Sequence, residues 1–230
     1  MPTQLSLYLH EEVLLLALRD DKGTIATGAM LEYTLAGSLL AELLLEERIR
    51  IDTTTKRKLV EVVSPTPLGR PLLDESLERL ISAKRRAGIQ TWVSRLAGIK
   101  KLKHRAVRRL CELNILQQAE DKVLWVFPRI IYPEVDHTPE AQLIERLRQT
   151  IFSQTQDLDP RTVVLVSLAQ GASLLPNVFE KSDLKLYKHR LQAIAKGDLV
   201  GQATKEVMEG VQAAIMVACI MPAVMASVTS

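Results

Sequence analysis

With 230 residues, 25.7 kDa, 47% hydrophobic and 25% charged side chains, the chain can bury a sizeable core, which excludes disorder as its main state. Aromatics make up only 4%, so the core is aliphatic, and the two distant cysteines, Cys111 and Cys219, exclude a disulfide scaffold or a four-cysteine zinc site. The net charge of +3 conceals a segregation: residues 79–111 carry 11 Lys and Arg and no acid, while the rest carries 19 basic and 27 acidic side chains, net −8. A concentrated positive segment on an acidic body attracts polyanions such as nucleic acid, anionic lipid or phosphorylated headgroups.

The periodicity predicts a helix over Leu5–Arg19, a turn at Asp20–Gly23 and a long apolar helix over Gly28–Glu47. Ile49 and Ile51 alternate with charged residues, and Leu59–Val63 reads as the hairpin partner. The proline-rich stretch Ser64–Pro71 is a loop. Helices are predicted next at Leu72–Lys84, Ile89–Leu96 (ended by Gly98) and Leu102–Leu113, with Asn114 as a left-handed stop. The last of these buries Leu102, Ala106, Val107, Leu110 and Leu113 and presents Lys101, Arg105 and Arg108. A second hairpin is expected from Ile115–Gln118 and Val123–Phe127 around Ala119–Lys122, with Pro128, Pro133 and Pro139 breaking up the segment after it. The remainder reads as helices at Glu140–Thr150, Arg161–Leu175, Leu184–Lys196 and Thr204–Ile220. The apolar stretch Val211–Val228 approaches membrane-span length. Its alanines, Gln212 and Pro222, and the lack of flanking positive charge, favour a buried core helix. The fold class is therefore mainly α: a single globular helical domain over residues 1–230 with short β-hairpins.

Catalysis has no visible seat. No two of His10, His104, His137 and His189 stand at a metal-binding helical spacing, and there is no phosphate-binding glycine loop or nucleophile elbow. No metal or cofactor is expected. His10, beside Glu11 and Glu12, reads as a helix-surface or capping group; His104 reads as part of the positive surface; Trp92 reads as core. Cys111 adjoins the basic face, which favours a thiolate, but lacks a partner base. Residues 1–6 are polar and run into His10–Glu12, so no targeting segment is expected and the location is taken as cytoplasmic.

Several segments, in order, resemble the Golgi phosphoprotein 3 family. They are Leu5–Leu18 followed by Asp20–Gly23, Leu35–Leu43 running into Arg48-Ile49, Leu72–Leu77, Gln90–Gly98, Leu165–Gln170 and Asn177–Phe179. The resemblance implies a mostly helical domain that binds membranes peripherally from the cytosolic side by recognising phosphatidylinositol 4-phosphate. In eukaryotic members it also implies binding to cytosolic tails of membrane proteins. The chain starts close to the family domain, which implies a bacterial-type member without the Arg-rich N-terminal arm, for which a Golgi-retention role is not carried over. The family's headgroup site falls here on Lys100 and Lys103, on Ala36 in place of an arginine, and near Ala26 or Thr27 in place of a tryptophan. Half the site is thus replaced, and the expected ligand broadens to anionic phospholipid headgroups.

The expected headgroup residues are Lys100, Lys103, Lys101, Arg105 and Arg108, with the free N–H groups at the start of their helix facing the phosphate. Leu124, Trp125, Val126 and Phe127 on the second hairpin are the candidate membrane wedge or, as the resemblance implies, the self-association element. The alternative is a winged-helix-like DNA-binding protein, since a basic helix followed by a hairpin occurs at Leu102–Phe127.

Overall fold

The computed structural model describes residues 7–18, 23–25, 29–52, 58–123, 127–199 and 210–218. Helix α1 (Leu9–Leu16) is shorter than its hydrophobic pattern, and every residue in it is buried. Helix α2 (Ala29–Leu45) packs along it, with Leu35, Leu39, Leu40 and Leu43 in the core. A helix buried on every side, polar residues included, needs neighbours on every side. Helix α1 accordingly touches α2, α5 (Leu102–Glu112), α6 (Thr138–Phe152) and α7 (Pro160–Gly171). Gly23 is in left-handed backbone (φ 71), where a Cβ would strike the Tyr132 carbonyl; residues 20–22 of the expected turn lie outside the described residues.

The first hairpin forms as expected, β1 (Ile49–Asp52) against β2 (Leu59–Val62), with Ile51 opposite Val60. Helix α3 (Pro71–Ile81) starts on its proline, whose missing N–H costs nothing at a first helical position. Helix α4 (Ile89–Ala97) ends at Gly98 and buries Trp92 as expected. Helix α5 buries Leu102, Ala106, Val107 and Leu110, and Asn114 follows with φ 56, the left-handed stop.

The second hairpin differs from its expectation. The strands are β3 (Ala119–Val123) and β4 (Phe127–Ile131), so the residues read as its turn form a strand. Asp121 is a poor strand former by composition, but Arg129 pairs with it across the strands at 2.7 Å. Ile115 and Leu116 are buried and lie outside the two strands, where Leu116 bridges to Glu134 and the Ile115 carbonyl accepts from the Val135 N–H at 2.8 Å. Pro128 sits in β4 opposite Lys122, which a two-stranded sheet tolerates on its free edge. Pro139 likewise opens α6 rather than interrupting structure. The expected helix at Leu184–Lys196 is split into α8 (Lys181–Leu186) and α9 (Lys188–Ala195) at Tyr187, whose ring packs edge-on against Phe152 at 5.0 Å.

Residues 210–218 are helical, with Val211, Ala214, Ile215 and Ala218 buried. They lie so close to α2 that a Cβ on Gly37 would fall 2.6 Å from the Ala218 Cβ. These four side chains are core, as expected, while Met216 is exposed and residues 219–228 of the expected helix lie outside the described residues; no helix among the described residues is long and apolar enough to cross a membrane.

Charge is buried at the centre. Glu42 on α2 is fully buried and accepts from Arg161 of α7 and, at 2.7 Å, from the Leu9 N–H that opens α1. The Arg161 guanidinium also donates to the Leu7 carbonyl at 2.8 Å and stands 3.7 Å from Glu12, which Arg146 of α6 holds at 2.5 Å. Burial pushes the Glu42 carboxyl up, while Arg161 and the Leu9 N–H favour its charged form. Breaking one side of such a pair strands the other charge. Arg161→Met is therefore expected to cost about 3–5 kcal/mol of stability in urea unfolding. Glu42→Leu/Arg161→Met is expected to recover part of that loss; a double variant no more stable than the single would contradict this account.

Candidate anion-binding surface

The turn between α4 and α5 is held by two apolar residues. Ile99 and Leu102 are buried, and the Leu102 N–H donates to the Ile99 carbonyl at 3.1 Å. Seating both in the core turns Lys100 and Lys101 outwards, where both are exposed, and places Lys101 in left-handed backbone (φ 58). Lys101, Arg105 and Arg108 then share one face of α5, as their spacing predicts.

Lys103 does not join them. It lies on the opposite flank against Glu32 of α2, and the Lys103 backbone N–H donates to that carboxylate. A start of helix expected to meet a phosphate is thus already served by a protein acid. Partial burial pushes the Glu32 carboxyl up, opposed by Lys103. His104 is also corrected: its Nδ1 stands 3.1 Å from the Tyr132 hydroxyl, and burial first, then Lys103 and Lys101, lower its pKa, which disfavours a positive imidazole. The Cys111 thiol is pushed up by burial, so no thiolate is favoured there.

The acid-free run attracts acids from elsewhere in the chain. Arg105 and Arg79 share Glu75 at 2.5 and 2.8 Å, and Arg86 pairs with Glu61 and, at 3.7 Å, Asp52. Arg108 and Arg109 lie 3.5 and 3.6 Å from Glu112. Arg95 covers the Trp92 ring at 4.8 Å. Lys84, Arg85, Lys100 and Lys101 are exposed and have no carboxylate partner among the described residues. Sequence reasoning passed over Lys84 and Arg85, although they stand in the same acid-free run.

Ala36, which occupies the expected arginine position, is fully buried in α2, so nothing from that position reaches a headgroup. Ala26 and Thr27 lie outside the described residues, as do Leu124, Trp125 and Val126. Phe127 is the first residue of β4, paired with Val123. The apolar side chain that the second hairpin exposes among the described residues is Ile130.

On the other side of Arg105 and Arg108, α5 forms a small cleft with the segment before α3 and with α1. Its volume is about 170 Å³, and Arg70, Arg109 and His10 line it together with those two arginines. Arg70 precedes Pro71, which holds it in extended backbone (φ −127, ψ 116), and its guanidinium lies 5.1 Å from the centre of the Tyr8 ring. His10 is only 3% exposed, which overturns the surface reading of this residue. Burial, then Arg161 and Arg70, lower its pKa to about 3, so the ring is neutral.

The Golgi phosphoprotein 3 (GPP34) family model matches residues 9–211. The chain belongs to this family. A curated relative, vacuolar protein sorting-associated protein 74 of Eremothecium gossypii, is 26% identical over 210 residues, covering 77% of this chain. The match spans 63% of that relative's length. Family membership is in keeping with the mainly helical fold with short hairpins.

The buried His10 makes stability depend on pH. Its folded pKa, about 3, lies below the ordinary value of 6.5, so the unfolded chain takes up the proton first. The stability that a neutral His10 contributes is present above pH 6.5 and is lost as the pH falls toward 3. Between these limits the slope is about 1.4 kcal/mol per pH unit for one group. In urea titrations His10→Gln is expected to flatten this part of the profile; an unchanged slope would refute the assignment.

Proposed function

We propose that this chain is a non-catalytic peripheral membrane adaptor, one domain over residues 1–230, that recognises anionic phospholipid headgroups on the cytosolic face of a membrane. The observation that carries the reading is the group of unpaired, exposed cations, Lys100 and Lys101 at the α4–α5 turn with Lys84 and Arg85 before α4. Each cation near an anionic bilayer contributes about 1 kcal/mol, screened by salt. Together they support reversible binding without any inserted helix. Lys103 contributes less than its charge suggests, because Glu32 stands beside it. With Ala36 buried, selectivity for phosphatidylinositol 4-phosphate over other anionic headgroups is weak. Exposed Ile130 on the second hairpin is a candidate contact with the bilayer or with a second copy of the chain. Cytosolic tails of membrane proteins are the candidate protein partners, in keeping with the family. The DNA-binding alternative gains no support from the family match.

Liposome co-sedimentation tests the reading. At physiological salt the chain is expected to bind phosphatidylglycerol vesicles and vesicles containing phosphatidylinositol 4-phosphate, and to ignore phosphatidylcholine. Lys100→Glu/Lys101→Glu is expected to weaken binding by at least about tenfold, as loss of two such charges implies. Failure to bind any anionic vesicle would sink the membrane reading.

A further inference from the structure

We propose that the arginine cleft between α5, α1 and the segment before α3 is a binding site for a phosphate monoester. It is separate from the lysine turn: Lys101 precedes α5, whereas Arg108 stands about two turns, ~10 Å, further along the helix. The cleft rests on its own observations and does not need the membrane reading.

The first observation is convergence. Arg70 approaches from the loop before α3, and Arg105, Arg108 and Arg109 from α5. Guanidinium groups are forks suited to oxyanions, and arginines arriving from separate elements match a dianion with several terminal oxygens better than they match one carboxylate. The second is a set of unsatisfied donors. The Nε of Arg70 is buried without a hydrogen-bond partner, and so is Nδ1 of His10, whose ring lines the cleft. Buried polar groups are rarely left unpaired, and neither of these two has a partner among the described residues. Neutral His10 offers one N–H donor without adding charge.

The acids in the cleft do not close it. Glu112 lies 3.5 and 3.6 Å from Arg108 and Arg109, long for hydrogen bonds, and its side chain is half exposed, so it is a loosely held counter-ion. Glu11 turns an oxygen to the Tyr8 N–H at 2.8 Å, and burial pushes its carboxyl up, although Arg70 and Arg109 stand near enough to favour its charged form. Arg105 is anchored by Glu75 through one nitrogen, which fixes its fork in place. The volume, about 170 Å³, compares with ~150 Å³ for a cavity that takes benzene. It therefore suits a phosphate and the first few atoms that carry it, and is too small for a whole nucleotide.

The phosphate can come from a soluble ester or from a lipid headgroup, and the experiment separates them. Isothermal titration of the full chain with glycerol 3-phosphate and inorganic phosphate reads the soluble source. Co-sedimentation with phosphatidic acid vesicles, compared with phosphatidylglycerol vesicles that carry no monoester, reads the lipid source. Glycerol 3-phosphate is expected to bind, and Arg70→Gln and Arg108→Gln each to weaken it at least tenfold, with Lys188→Ala unchanged. A preference for phosphatidic acid that both variants abolish, without soluble binding, also supports the cleft and assigns the lipid source. Absence of both, or binding that neither variant alters, overturns the proposal. The Arg108 side chain is 69% exposed, so its variant folds and decides the matter even where Arg70→Gln does not. Phosphatidylglycerol binding by wild type reads the membrane proposal separately.

Discussion

The buried Glu42–Arg161 pair is the constraint around which the helices are arranged. It lies where α2 and α7 meet the start of α1, and it satisfies main-chain groups of Leu7 and Leu9 as well as its own charges. A leucine-rich core is poor at specifying one register, because leucine faces are nearly interchangeable. An ion pair with a fully buried carboxylate is not, since any shift of α1 along α2 or α7 leaves a charge or an N–H unmet in low dielectric. Glu12 and Arg146 extend the same constraint to α6.

This also explains how α1 holds three consecutive polar residues, His10, Glu11 and Glu12, while wholly buried. Each is directed elsewhere by the helical turn of about 100° per residue. Glu11 returns to the Tyr8 N–H, Glu12 goes to the arginines of α6 and α7, and His10 reaches the wall of the arginine cleft. The core network and the cleft are thus linked through one helix. Arg161 and Arg70 both lower the pKa of His10, after burial.

Along the outer face, the positive run of 79–111 is sorted by its neighbours. Where the chain brings Glu75 or Glu61 alongside, Arg79, Arg105 and Arg86 become structural links. Where it brings none among the described residues, at Lys84, Arg85, Lys100 and Lys101, the charge acts at long range. The same run therefore supplies an open lysine surface suited to a bilayer and a confined arginine cleft suited to one phosphate. They differ because lysine keeps its charge hydrated on a flexible stem, whereas arginine forks are held by neighbouring acids and rings.

The sequence by itself determined the helical class, the first hairpin, the proline loop, the cap at Asn114 and the segregation of charge. All are local: periodicity, missing N–H groups, left-handed backbone and composition act within a few residues. It misplaced the second hairpin because Asp121 is stabilised there by Arg129 on the other strand, a partner that local propensity does not see. It placed Lys103 with Lys100 and His10 on the surface for the same reason. Only the tertiary structure brought Glu32 to Lys103, covered α1 on all sides and carried Arg70 from a proline loop to the arginines of α5. Burial and ion pairing belong to pairs of residues distant in the chain, and a helix's own spacing says which of its side chains share a face but not what that face meets.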